Sequence, residues 1–177
     1  MLESTSLVYF ETNPRDLVML RTAAAACNVM YAVNGFSELE AAKDYLKSVS
    51  LPGMGTFQFL LADVSLLAQE GLALARWVRS QPLLQETALI MCSGQHGHGI
   101  VKTCYAPGAD YFLAKAESYS RLKQMLQKFD ACLHQIPPSF KALEKMPVYR
   151  PPGFKDFERF VAARLEKPLF EQEQARP

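Results

Sequence analysis

The sequence predicts a doubly wound α/β domain: one five-stranded parallel sheet with helices on both faces, followed by a helical tail. Three observations carry this expectation. Short apolar runs recur at 7–10, 29–33, 57–62, 88–92 and 111–114, the pattern of strands covered on both faces. Stretches with helical spacing separate or follow them, and such alternation implies parallel pairing through right-handed crossovers. The 177 residues, 49% hydrophobic and 21% charged, have globular composition and suffice for one domain with an appendage. A chain of this size buries enough surface to fold without disulfides or a structural metal.

The elements follow in order. Leu7, Val8, Tyr9 and Phe10 form a buried strand. Asn13 is placed to cap the next helix and Pro14 suits its first turn. Leu17, Leu20 and Ala24 continue it to about Ala26. A second strand over 29–33 closes at Asn34-Gly35. Ser37 and Glu40 have the spacing of a capping box for a helix reaching about Lys47. Residues 51–55 are a loop, and the third strand ends at Asp63. Leu72, Ala75 and Val78 line one face of a helix over 70–79, which Pro82 stops. The fourth strand ends at Ser93-Gly94. Gly97, Gly99 and Pro107 leave the next segment, 95–107, a weak helix. The fifth strand ends at Lys115. Leu122, Met125, Leu126, Phe129 and Leu133 then mark a strongly amphipathic helix from Ser118.

Past Gln135 the chain changes character. Pro137-Pro138, Pro147 and Pro151-Pro152 punctuate it, with one helix expected near 155–165. The expected organisation is a domain over 5–134 and an extension over 135–177, whose Phe157 and Phe160 dock on the body or on a partner. The extension is too short for an intact helix-turn-helix output domain. With a net charge of +1, direct DNA binding is not expected. Cys27, Cys92, Cys104 and Cys132 form no C-x-x-C pair, and Cys27 and Cys92, inside apolar runs, read as small buried hydrophobes. Residues 1–6 do not read as a signal peptide and no apolar run is long enough to span a bilayer, so a cytoplasmic setting without membrane insertion is expected. His96 and His98 read as a solvated loop, His134 as a helix-end residue and Trp77 as a core or interhelix contact.

In an open α/β sheet, sites lie at the carboxyl ends of the strands. Here those ends present Glu11-Thr12, Asp63, Ser93 and Lys115: two acids, a hydroxyl and an ammonium at one edge. Residues 7–14 (LVYFETNP), 61–64 (LADV) with Gly71, 90–94 (IMCSG) and 108–115 (GADYFLAK) resemble the receiver domains of bacterial response regulators. Asp63 and Ser93 are 30 residues apart, and Ser93 and Lys115 are 22 apart, close to the family's intervals.

The resemblance implies a CheY-like (flavodoxin-like) fold with strand order 2-1-3-4-5. It implies a signalling protein rather than an enzyme, acting through protein–protein contacts with a histidine kinase or another signalling protein. Asp63 matches the phosphoryl acceptor. Ser93 and Lys115 match the residues that contact the phosphoryl group, and Phe112 matches an aromatic that moves inward on activation. The family's magnesium ion would be held by Glu11, Asp63 and the backbone carbonyl of Ser65. Phosphate oxygens approaching a carboxylate need such a cation, and magnesium is a hard ion suited to oxygen.

The departures set up a competing expectation. Thr12 stands where the second acid belongs, which weakens the metal site. Ser65-Leu66-Leu67-Ala68-Gln69 lacks the family's Met-Pro, and Ala116 replaces the proline after the lysine, so that turn is expected to be trans. The alternative is therefore a pseudo-receiver, never phosphorylated, that serves binding or homodimerisation. Two further classes fit less well. An aspartyl-phosphate hydrolase would need an acid at Ser65, and a flavodoxin-like cofactor binder would need glycine in the loop 11–16.

Overall fold

The computed structural model describes residues 6–29, 31–50, 58–65, 69–85, 87–95, 98–116 and 118–133. The elements are β1 (Ser6–Phe10), α1 (Pro14–Cys27), β2 (Ala32–Phe36), α2 (Leu39–Val49), β3 (Gln58–Asp63), α3 (Glu70–Ser80), β4 (Ala88–Ser93), α4 (His98–Tyr105), β5 (Tyr111–Ala114) and α5 (Tyr119–Leu133). A short 3₁₀ turn, Pro82–Leu84, follows α3. All strands pair in parallel in the order β2-β1-β3-β4-β5. The expected loop 51–55, His96, His134 and the extension 135–177 lie outside the described residues.

Side-chain alternation along the strands builds two cores. Leu7, Tyr9, Leu61, Ile90 and Leu113 meet α1 and α5 through Leu17, Leu20, Leu122, Leu126 and Phe129. Val8, Phe10, Leu60, Leu89 and Met91 meet the other helices through Leu46, Leu72, Ala75, Val78 and Val101. Phe59 and Phe129 lie 5.3 Å apart between ring centroids at 55°, a favourable tilted arrangement. Tyr31 buries its ring and donates from its hydroxyl to the Leu126 carbonyl at 2.8 Å, which ties the chain before β2 to α5.

Three local expectations are corrected. The second strand is β2 at Ala32–Phe36, not 29–33, so Asn34-Gly35 lies within it rather than closing it. Asn28 ends α1 in the left-handed region, φ 48°, and the chain must turn before it can pair with β1. Gly35 fits there because a Cβ would stand 2.9 Å from Leu17 Cδ2. The capping box at Ser37 and Glu40 does not form. Glu38 is the N-cap without a side-chain bond, and the Glu40 carboxylate pairs with Lys43 at 2.7 Å instead. The weak fourth helix is regular over His98–Tyr105: Val101 and Cys104 are buried in the core, and this packing overrides the glycine at 99. His98 accordingly begins a helix rather than continuing a loop.

At the amino-terminal end of β4 and β5, Arg79 acts as a clamp. Its guanidinium donates to the carbonyls of Gly108 (2.8 Å), Gln85 (3.1 Å) and Thr87 (2.9 Å), and to Asp110 Oδ2 (2.8 Å). Asp110 Oδ2 also accepts from the Leu89 N–H at 2.8 Å. Removing one partner of a buried pair strands the other, at about 3–5 kcal/mol. Asp110→Ala is therefore expected to lower unfolding stability by about 3 kcal/mol in urea titration. Asp44→Ala, which breaks the exposed Lys47–Asp44 pair, is expected to change it by under about 0.5 kcal/mol.

Candidate functional site

The carboxyl edge of the sheet is fixed by backbone bonds that run one residue past the strands. Glu11 N–H donates to the Phe36 carbonyl (2.9 Å), Val64 N–H to that of Cys92 (2.8 Å), and Lys115 N–H to that of Ser93 (2.9 Å). The main chain on either side of Asp63 and at Glu11 and Lys115 is thus set by the sheet itself. Gly71, in the first turn of α3, lies against the same strand end. A Cβ there would fall 2.1 Å from the Asp63 carbonyl oxygen, so only glycine permits this approach.

Lys115 is the centre of the site. Its ammonium lies 2.5 Å from Glu11 Oε2, 2.7 Å from Asp16 Oδ2 and 3.3 Å from Asp63 Oδ1. Glu11 is 1% exposed, Asp63 9% and Asp16 25%, so the acids run from the floor of the pocket to its rim. Glu11 Oε1 accepts from the Asn13 N–H at 2.8 Å. Its Oε2 faces the ammonium closely, but without a hydrogen bond of good geometry. Three carboxylates against one ammonium leave two negative charges when all are ionised.

That imbalance appears in the acidities. Burial raises Asp63 from 3.8 to about 6; the Glu11 charge adds to the rise and Lys115 opposes it. Burial disfavours the charged form of Lys115, but the close carboxylates of Asp16, Glu11 and Asp63 outweigh it and hold the ammonium well above its ordinary value. Beneath the acids, burial pushes the Tyr9 hydroxyl and the Cys92 thiol far up, so both stay protonated. Cys92 Sγ lies 4.0 Å from Asp63 Oδ1.

Glu11, Asp63 and Lys115, from three separate strand ends, are thus brought into contact. Ser93 ends the adjacent strand with its side chain buried, and its hydroxyl accepts from the Gln95 N–H at 3.1 Å. Thr12 is half-buried beside Glu11, and Ser65 stands two residues beyond Asp63. Phe112 points to the opposite face of β5. It is fully buried in the core against α4, and its N–H donates to the Tyr105 hydroxyl at 3.2 Å. Among the described residues, no three His, Cys, Asp or Glu side chains form a metal-holding group.

The family model of the response regulator receiver domain matches residues 19–127. The chain belongs to this family. The match takes in Asp63, Ser93, Phe112 and Lys115 but begins after Glu11 and Asp16. No curated protein matches significantly. Among solved structures, the receiver fold recurs in the phosphorylated cyanobacterial phytochrome response regulator RcpA, at 17% identity over 75% of this chain and 97% of that one, TM-score 0.58. It recurs in the Mn²⁺-bound response regulator Rcp1, at 14% identity, 82% and 99% coverage, TM-score 0.55. The chemotaxis response regulator CheY4 of Vibrio cholerae matches at 16% identity, 71% and 98% coverage, TM-score 0.56. At these identities the likeness concerns the fold alone.

Asp16 is absent from the sequence-derived site. Asn13 caps α1 through its side chain to Arg15 N–H, which starts the helix three residues after Glu11. The third helical residue then returns to the strand-end edge. An acid in the first turn of a helix that begins so soon after a strand-end acid is the signal that could have found it.

Because the folded protein holds the Asp63 proton more tightly than the unfolded chain, stability falls as pH rises from 3.8 through about 6. The resulting cost, about 2–3 kcal/mol, is fully present above that window. Asp63→Asn is expected to gain about that much at pH 7.5 and less than about 1 kcal/mol at pH 4. Urea unfolding at the two pH values measures it.

Proposed function

We propose that this chain is a signal-transduction receiver that works through protein–protein contacts and takes a phosphoryl group on Asp63. The observation that carries the reading is the Lys115 ammonium 3.3 Å from Asp63 Oδ1, reached across the end of β4 that separates their strands. A carboxylate oxygen of Asp63 attacks phosphorus as the bond to the donor nitrogen breaks, its electron pair leaving with that nitrogen. The ammonium offsets the charge of the incoming oxygens, and Ser93 is the hydroxyl at the neighbouring strand end. Asp63 is ionised at pH 7.5, as a nucleophile must be.

Asp63, Glu11 and the Ser65 carbonyl would hold the family's magnesium ion. The donor set fits a hard cation: it is all oxygen, its two carboxylates outweigh the Lys115 ammonium by one charge, and the buried Glu11 Oε2 is held only by its ion pair with that ammonium. Magnesium retains several waters and needs only one or two carboxylates, so a cage of three is not required. When bound, the ion supplies charge screening for the phosphoryl oxygens.

A histidine kinase or another phosphorylated signalling protein is the donor, and the setting is cytoplasmic. Among the described residues, no helix is long and apolar enough to cross a membrane. The receiver occupies 5–134, and 135–177 is an extension for docking or homodimerisation rather than for DNA. A second reading, the pseudo-receiver, is favoured by Thr12 and by Phe112. The first is neutral where an acid belongs, and the second is already fully buried.

Incubation of the full chain with acetyl phosphate or phosphoramidate and Mg²⁺, followed by intact mass measurement, separates the two. A gain of one phosphoryl group, lost in Asp63→Asn, is expected. No adduct with either donor at any pH between 6 and 8 would favour the pseudo-receiver.

A further inference from the structure

We infer that Asp16 is the substitute acid of the acceptor pocket, supplying the negative charge that Thr12 does not provide. The inference rests on the reading of Asp63 as the acceptor site, and concerns how that site attracts a divalent cation.

The argument begins with charge. With Thr12 neutral, Glu11, Asp63 and Lys115 alone would sum to a single negative charge, a poor match for a divalent ion. Asp16 doubles it. Its carboxylate is 2.7 Å from the Lys115 ammonium, closer than Asp63 at 3.3 Å. Asp16 also adds to the charges that raise the Asp63 pKa above its ordinary value, so the two carboxylates sense each other.

Position supports the same role. Glu11 is committed on one oxygen to the Asn13 N–H, and the other faces Lys115. At 1% exposure it cannot turn outward. Asp16, one quarter exposed, stands where the pocket opens to solvent, the side from which an ion with its waters arrives. Its place in the first turn of α1 is electrostatically favourable, so the acid is held there without Lys115 alone having to fix it. By engaging Lys115 it also competes with Asp63 for the ammonium, which frees acceptor charge for the cation.

Mn²⁺ is the probe, because its unpaired electrons broaden nearby amide signals. The full ¹⁵N-labelled chain at pH 7.5 is titrated with Mn²⁺ and then with competing Mg²⁺. In the natural chain, broadening is expected at residues 11–13, 15–16 and 63–65, reversed by Mg²⁺. Asp16→Asn is expected to weaken apparent Mn²⁺ affinity at least about tenfold, as the loss of one nearby charge in a partly buried pocket implies. Asp16→Glu should keep most of the affinity, and Thr12→Asp placed in the Asp16→Asn chain should restore it. Asp16→Ser serves as a second removal should the asparagine disturb the fold, which signal dispersion reports directly. Equal affinity in the removal variants, no restoration by Thr12→Asp, or no local broadening in the natural chain would each overturn the inference. Phosphoryl uptake is read separately by mass. An Asp63 adduct with Mn²⁺ binding indifferent to Asp16 refutes only this inference. The expected Mn²⁺ pattern with no adduct refutes only the acceptor reading.

Discussion

Like charges gathered at one edge of a sheet must be reconciled, and in this protein the reconciliation is Lys115. Three carboxylates from β1, α1 and β3 converge on its ammonium, and none of them is more than one quarter exposed. Without the amine, the repulsion among these acids would oppose the docking of α1 on the sheet end and the seating of Asp63. With it, the edge is held together but not neutralised. The residual negative charge is a property of the folded edge as a whole, and no single residue carries it.

That edge is rigid because the sheet is extended by one bond at each critical strand. The N–H groups of Glu11, Val64 and Lys115 all donate to the neighbouring strand just past the last regular residue. The central apolar strands supply the force: β1, β3 and β4 are buried between two layers of helices, and the two cores meet at the sheet. Gly71 adds a constraint from the side, since α3 starts close enough to Asp63 to exclude any β-carbon. The polar site is therefore aimed by apolar packing and main-chain bonds, while its own side chains contribute mainly charge.

The parts of this design that depend on periodicity were legible in the sequence. β5 and α3 follow directly from their apolar patterns, and Asn13 with Pro14 marks the start of α1 as the physics of capping requires. The four strand-end groups were read from the ends of the apolar runs themselves, and the strand order followed from the family resemblance. What failed to read through were features decided in three dimensions. β2 slides toward Phe36 because pairing with β1 chooses the register, and Asn34-Gly35, a turn signal in isolation, is absorbed by that pairing. α4 survives its glycine because Val101 and Cys104 are anchored in the core. Asp16 was invisible because its importance lies in where the first turn of α1 points, and a pattern search along the chain looks for the second acid beside the first.

The geometry around Trp77 has an optical consequence. It is the only tryptophan in the chain, sits half-buried on α3, and has the ammonium groups of Lys43 and Lys47 on α2 at 5.9 and 5.7 Å from its ring centroid. Cations at that distance polarise the excited indole, so its emission depends on the spacing of the two helices. The opposite end of α3 abuts the Asp63 carbonyl through Gly71. Any rearrangement at the acid edge that tilts this helix is thereby written into the intrinsic fluorescence of the protein, which carries its own unlabelled reporter.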